Sequence, residues 1–116
     1  MPRDLRLYLN DLVDACEHVR AYTADLDFSD FVADRRTVDA VLHNLQVIGE
    51  AAKRLPSEML AGAPEVPWRD VTGLRDVLVH AYFKVDLAVI WRIIRDDLPT
   101  LEIAARRLAA GYRSPS

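Results

Sequence analysis

A single cysteine, Cys16, stands in this 116-residue chain, so no disulfide can close within it. Cys16 and the three histidines, His18, His43 and His80, match no zinc-ligand spacing, and neither a metal nor a cofactor is expected. Long apolar runs are missing as well, because charges interrupt each of them, and residues 1–4 carry no apolar signal core. That pattern argues against a membrane span and sets the cytoplasm as the expected location. Basic charge is not in excess: 15 Lys and Arg face 18 Asp and Glu, for a net −3. That balance argues against broad electrostatic capture of nucleic acid and leaves room for a small, locally basic groove. Only four glycines and six prolines punctuate the chain, and neither repeats nor strand-type alternation occur.

What is present is helical pattern. Hydrophobic residues make up 51% and charged residues 28%, a balance suited to one globular domain over residues 1–116 with one modest core. Leu5, Leu9, Leu12, Cys16 and Val19 recur at three- and four-residue steps and predict a helix over 4–24. Cys16 lies on its apolar face and reads as a buried thiol. A second helix is predicted over 29–55, on the stripe Val38, Val41, Leu42, Leu45, Ile48, Ala52 and Leu55, ending at Pro56. Gly49 interrupts that stripe at a cost of about 1 kcal/mol against alanine, a cost best explained by another helix approaching closely. Glu50 and Arg54 are spaced as an i,i+4 surface pair.

Residues 56–67 read as a connector with one short helical turn at 57–60. A third helix is predicted over 68–82. A fourth starts at the cap Asp86, must kink or restart at Pro99, and stops at Gly111, with 112–116 as a frayed tail. The fold class is all-α, an antiparallel bundle of four main helices.

The chemistry concentrates in residues 75–82, which read Arg-Asp-Val-Leu-Val-His-Ala-Tyr. Arg75 can grip a phosphate by paired hydrogen bonds, and His80 can move a proton near neutral pH. Those two groups are the minimum for cutting RNA without a metal. Five residues apart, they point roughly 140° apart on a regular helix. A long arginine side chain, a helix end just after Tyr82, or a second protomer would each ease that separation. Asp76 is four residues before His80 and is placed to orient the imidazole and raise its pKa. Each residue also has a plainer reading: Arg75 as a solvated charge, His80 as a C-terminal cation on the helix dipole, Tyr82 as a half-buried aromatic. Lys84, Arg92 and Arg95 are either RNA-backbone contacts or solvated surface charges. Asn44 and Glu50 either line a cleft or satisfy local hydrogen bonds. His18 and His43 read as ordinary face histidines, and Trp68 and Trp91 as core anchors.

Three segments occur together: Ile48-Gly49-Glu50-Ala51, the Arg75-x4-His80-x-Tyr82 core, and Val85-Asp86 followed by Ile90-Trp91. Their ensemble, over residues 5–108, resembles the HepT-like branch of the HEPN superfamily. The resemblance implies a helical bundle that forms a homodimer and brings two Arg-x4-His motifs to one cleft. It implies metal-independent endoribonuclease action by the toxin of a prokaryotic toxin–antitoxin pair. It further implies a cognate minimal nucleotidyltransferase as antitoxin partner, adding adenylate to Tyr82. The residue after the motif arginine is often asparagine in that family, and here it is Asp76. Two other readings stand beside this one. The chain would be a non-catalytic nucleotide- or RNA-binding module, or it would restrain a toxic nucleotidyltransferase.

Overall fold

Asp4 opens the first helix by accepting a hydrogen bond from the Arg6 backbone N–H at 2.9 Å, satisfying one of the donors a helix start leaves unpaired. The computed structural model describes residues 4–80 and 86–113, with Val77, Val79 and His80 by backbone alone. Helix α1, Leu5–Thr23, buries Leu9, Leu12, Cys16 and Val19 of the predicted stripe and Val13 beside them, while Leu5 is only partly buried. Burial pushes the Cys16 thiol up to about 12, with the neighbouring Glu102 carboxylate adding to the shift, so the thiol stays protonated and inert.

The single helix predicted over 29–55 is two. Asp27 and Asp30 form a reciprocal capping box that starts α2, Phe28–Ala33. Asp34 then ends α2 and caps α3, Arg35–Lys53: its carboxylate accepts from the Thr37 hydroxyl at 2.7 Å and backbone N–H at 3.2 Å. A short acidic side chain that bonds the following turn competes with helix continuation, and the apolar period runs on across the break. Phe31 is fully buried there, its ring 5.1 Å from that of Trp91.

Helices α1 and α3 pack antiparallel. His18, late in α1, meets Asn44 in the middle of α3, while Tyr8 and Asp11, early in α1, lie beside Glu50 and Arg54 at the end of α3. The last helix, α8, Leu98–Gly111, packs antiparallel on the other flank of α1, with Arg20 bound to Glu102 and Glu17 bound to Arg106. Tyr112 follows α8 and packs against the core, with the Arg6 guanidinium 5.9 Å from its ring centre.

Between α3 and α8 the chain is built of short pieces. Helix α4, Ser57–Leu60, is the predicted connector turn. Its connector is tied down by the Trp68 indole N–H, which donates to the Ala63 carbonyl at 3.0 Å. The helix predicted over 68–82 breaks at Gly73 into α5, Trp68–Thr72, and α6, Leu74–His80. The Thr72 hydroxyl turns back onto the Arg69 carbonyl, a local bond that competes with helix propagation. Asp86 caps α7, Leu87–Arg92, as predicted. A π-helical turn, Ile93–Asp97, then leads into α8 with Pro99 in its first turn. Proline has no N–H to give and crowds the carbonyl four residues back. The widened turn, with Leu98 N–H bonding the Ile93 carbonyl, absorbs that conflict. The result is all-α, with no strand among the described residues. Among the described residues three helices are long, α1, α3 and α8, and the others are short segments. No helix among the described residues is long and apolar enough to cross a membrane.

Candidate functional site

The site grows from Gly49. A Cβ built there would lie 3.3 Å from the Arg75 backbone N and 3.3 Å from the Val71 carbonyl, with the Leu74 Cβ at 3.5 Å. Backbone of α3 therefore meets backbone at the α5–α6 junction, the close approach that the mid-helix glycine predicts. This contact fixes where α6 begins, and so where Arg75 leaves the backbone.

Glu50, the next residue on α3, receives it. The Arg75 Nε lies 3.5 Å from Glu50 Oε1, and both side chains are about half exposed, 49% and 50%. The sequence spacing offers Arg54 as the partner of Glu50, but the ion pair runs to Arg75, across the helix contact rather than along α3. A groove of about 460 Å³ opens at this pair. Tyr8 and Asp11 of α1, Lys53 and Arg54 at the end of α3, and Arg75 line it. Arg54 is visible in the sequence only as a spacing partner of Glu50, and Tyr8, Asp11 and Lys53 do not stand out, because nothing local says that the start of α1 and the end of α3 converge. The one local signal was Gly49.

Asp76 is exposed on α6 beside Arg75. The side chain of His80, and Tyr82 and Lys84 altogether, lie outside the described residues, as does the predicted Asp76–His80 pairing. Asn44 is turned away from the groove. It is buried against α1, donating to the Ala40 carbonyl at 2.8 Å, with its Oδ1 3.4 Å from His18 Nδ1. His18 also stacks on Tyr22, with ring centres 6.0 Å apart, and His43 is exposed.

Arg95 is committed to structure. It donates to the Leu26 carbonyl at 2.6 Å and sits 4.3 Å over the Trp91 ring, holding the end of α1 to the π turn. Trp68 and Trp91 both pack against the core, as the sequence suggests, and Arg92 is exposed. Among the described residues no three of His, Cys, Asp or Glu gather as a metal-binding set.

The family model described as "Ribonuclease HepT-like" matches residues 12–108. A Thermococcus cleftensis protein named "Probable ribonuclease HepT" is 40% identical over 102 residues, which cover 88% of this chain and 93% of the relative. Two more relatives have RNase in their names. One, from Methanocaldococcus jannaschii, is 32% identical over 100 residues, covering 86% of this chain and 92% of the relative. The other, from Caldanaerobacter subterraneus subsp. tengcongensis, is 38% identical over 97 residues, covering 84% and 87%. No solved structure matches the chain. The family model spans nearly all of the helical framework, from the middle of α1 through Gly49 and Arg75 to the last turns of α8, and the chain belongs to the HepT-like ribonuclease family.

Proposed function

We propose that this chain is an endoribonuclease that cleaves RNA without a metal, acting as the toxin of a two-gene toxin–antitoxin pair. The observation that carries the reading is the position of Arg75: half exposed at a groove, on a backbone fixed by the contact at Gly49. A guanidinium so placed is a phosphate grip that needs no rearrangement of the fold.

The reaction is attack of a ribose 2′-hydroxyl on the adjacent phosphorus. The new 2′-O–P bond forms as the bond to the 5′-oxygen of the next nucleotide breaks, giving a 2′,3′-cyclic phosphate and a 5′-hydroxyl. One His80 takes the 2′-hydroxyl proton and a second, from the partner of a homodimer, gives a proton to the leaving oxygen; such groups contribute roughly 10²–10⁴-fold each. Arg75 stabilises the charge that develops on the phosphorane oxygens. Asp76 orients the imidazole, and Lys84 contacts the RNA backbone.

Control falls to Tyr82, two residues past His80. A cognate minimal nucleotidyltransferase transfers adenylate from ATP to the phenol oxygen and releases pyrophosphate. The added phosphate puts negative charge where the substrate phosphate must sit and silences the enzyme. The exposed Asp76 carboxylate and the net charge of −3 favour one competing reading, a binding module without catalysis.

The deciding experiment incubates RNA with the purified protein in EDTA, beside His80→Ala. Cleavage to cyclic-phosphate ends by the wild type, with the variant inactive but folded, is the expected result. RNA left intact by the wild type favours the binding module, and cleavage by His80→Ala at the parental rate removes His80 from its role. Tyr82→Phe should cleave yet escape the nucleotidyltransferase, and adenylate found by mass spectrometry on another residue would refute that step.

A further inference from the structure

Resting on the ribonuclease reading, we infer that Glu50 is a positioning residue for Arg75, holding its guanidinium by the Nε edge so that the terminal Nη pair faces an incoming phosphate. A guanidinium has two edges able to make paired hydrogen bonds, one through Nε and one through both Nη groups. The Glu50 carboxylate approaches Nε, at 3.5 Å, which leaves the terminal edge for the substrate. The two residues are also prevented from drifting apart. Gly49 precedes Glu50, and the position its Cβ would take is 3.3 Å from the Arg75 backbone N, so both side chains spring from backbones in contact.

The pair is half exposed on both sides, open to a ligand and weakly held by its own attraction. A carboxylate in this place does two things. It restricts the rotamers of a long side chain before substrate arrives, which removes an entropic cost from the transition state. It also competes with phosphate for the guanidinium, which weakens ground-state binding. The kinetic signature is therefore a split: removing Glu50 lowers kcat while KM stays level or falls. A residue that merely supported the fold would not give that pattern, nor would one that simply bound RNA.

The test uses the full chain and a short single-stranded RNA, with Glu50→Ala and Glu50→Gln compared with the wild type. Glu50→Ala should lose about 10- to 100-fold in kcat, the scale expected of a misplaced catalytic group. Glu50→Gln, which keeps an amide oxygen beside Nε, should recover most of it. Nitrogen-15 relaxation of the Arg75 Nε–Hε group should show faster, wider motion in Glu50→Ala than in the wild type or Glu50→Gln. Parental kcat in Glu50→Ala, a rise in KM alone, or unchanged Arg75 motion overturns the inference. RNA left intact by the wild type overturns the ribonuclease reading first and this inference with it; an active wild type with an indifferent Glu50→Ala overturns this inference alone.

Discussion

Glu102 and Glu50 both hold arginines, and they do so in opposite ways. Glu102, between α1 and α8, has a side chain only 12% exposed, with Arg20 at 3.1 Å and Arg106 at 3.0 Å. Glu50, between α3 and α6, is 50% exposed and holds Arg75 at 3.5 Å. Burial works against the Glu102 charge, but the hydrogen bonds from Arg20 and Arg106 overcome it and keep the carboxyl below its usual range. Glu102 is thus part of how two long helices are fastened. On the proposed mechanism, a fastening of that strength at Glu50 would hinder Arg75, because an arginine locked in a closed ion pair cannot take a phosphate. The same two residue types give stability in one place and availability in the other, and solvent exposure makes the difference.

The largest effect should come from the slab that both pairs depend on. Leu45 is fully buried, and Leu45→Ala should cost about 2–5 kcal/mol in chemical denaturation. A smaller loss would mean that the short-helix flank, not the α1–α3–α8 slab, carries the core. Next comes the helix contact behind the groove. Gly49→Val puts branched carbons against backbone atoms that cannot yield and should cost about 1–3 kcal/mol. Its RNA cleavage should fall further than a destabilised fold explains, because Arg75 moves with the contact.

Glu102→Gln should then cost roughly 1–3 kcal/mol at neutral pH, as two charge-assisted bonds weaken. Its pH dependence has a definite sign. The native carboxyl ionises below its ordinary value of 4.5, so the unfolded chain binds the proton more readily. The Glu102 contribution is whole above that value and is lost as pH falls through the lower native one. Wild type and Glu102→Gln should accordingly converge in stability as pH falls below the ordinary carboxylate range, and parallel curves would show that the network does not act through this charge. Smallest of all, Glu50→Gln should change stability by no more than about 0.5 kcal/mol. A loss equal to that of Glu102→Gln would erase the distinction between the two pairs.

Much of the framework is legible from residues alone. The stripe of α1, the cap at Asp86 and the restart at Pro99 follow from periodicity, capping chemistry and the missing proline N–H. The breaks at Asp34 and Gly73 are harder to read. In both, an apolar period continues through a point where a short side chain, Asp34 or Thr72, turns back onto the backbone. Of the site, the sequence singles out Arg75 and flags Gly49 as a place of close approach, yet it pairs Glu50 with the wrong arginine. An i,i+4 spacing is visible in sequence, whereas a contact between residues 50 and 75 exists only once two helices have docked.

The sequence by itself determined that the chain is helical, which faces are apolar, and that a guanidinium, an imidazole and a phenol fall within eight residues, because these depend on local spacing and side-chain chemistry. Only the tertiary structure decided that Arg75 meets Glu50 at a groove shared with α1, that Asn44 turns to His18, and that Glu102 draws in two arginines from different helices. Those pairings join residues distant along the chain or choose among several possible partners, and that choice is made by the burial of one common core.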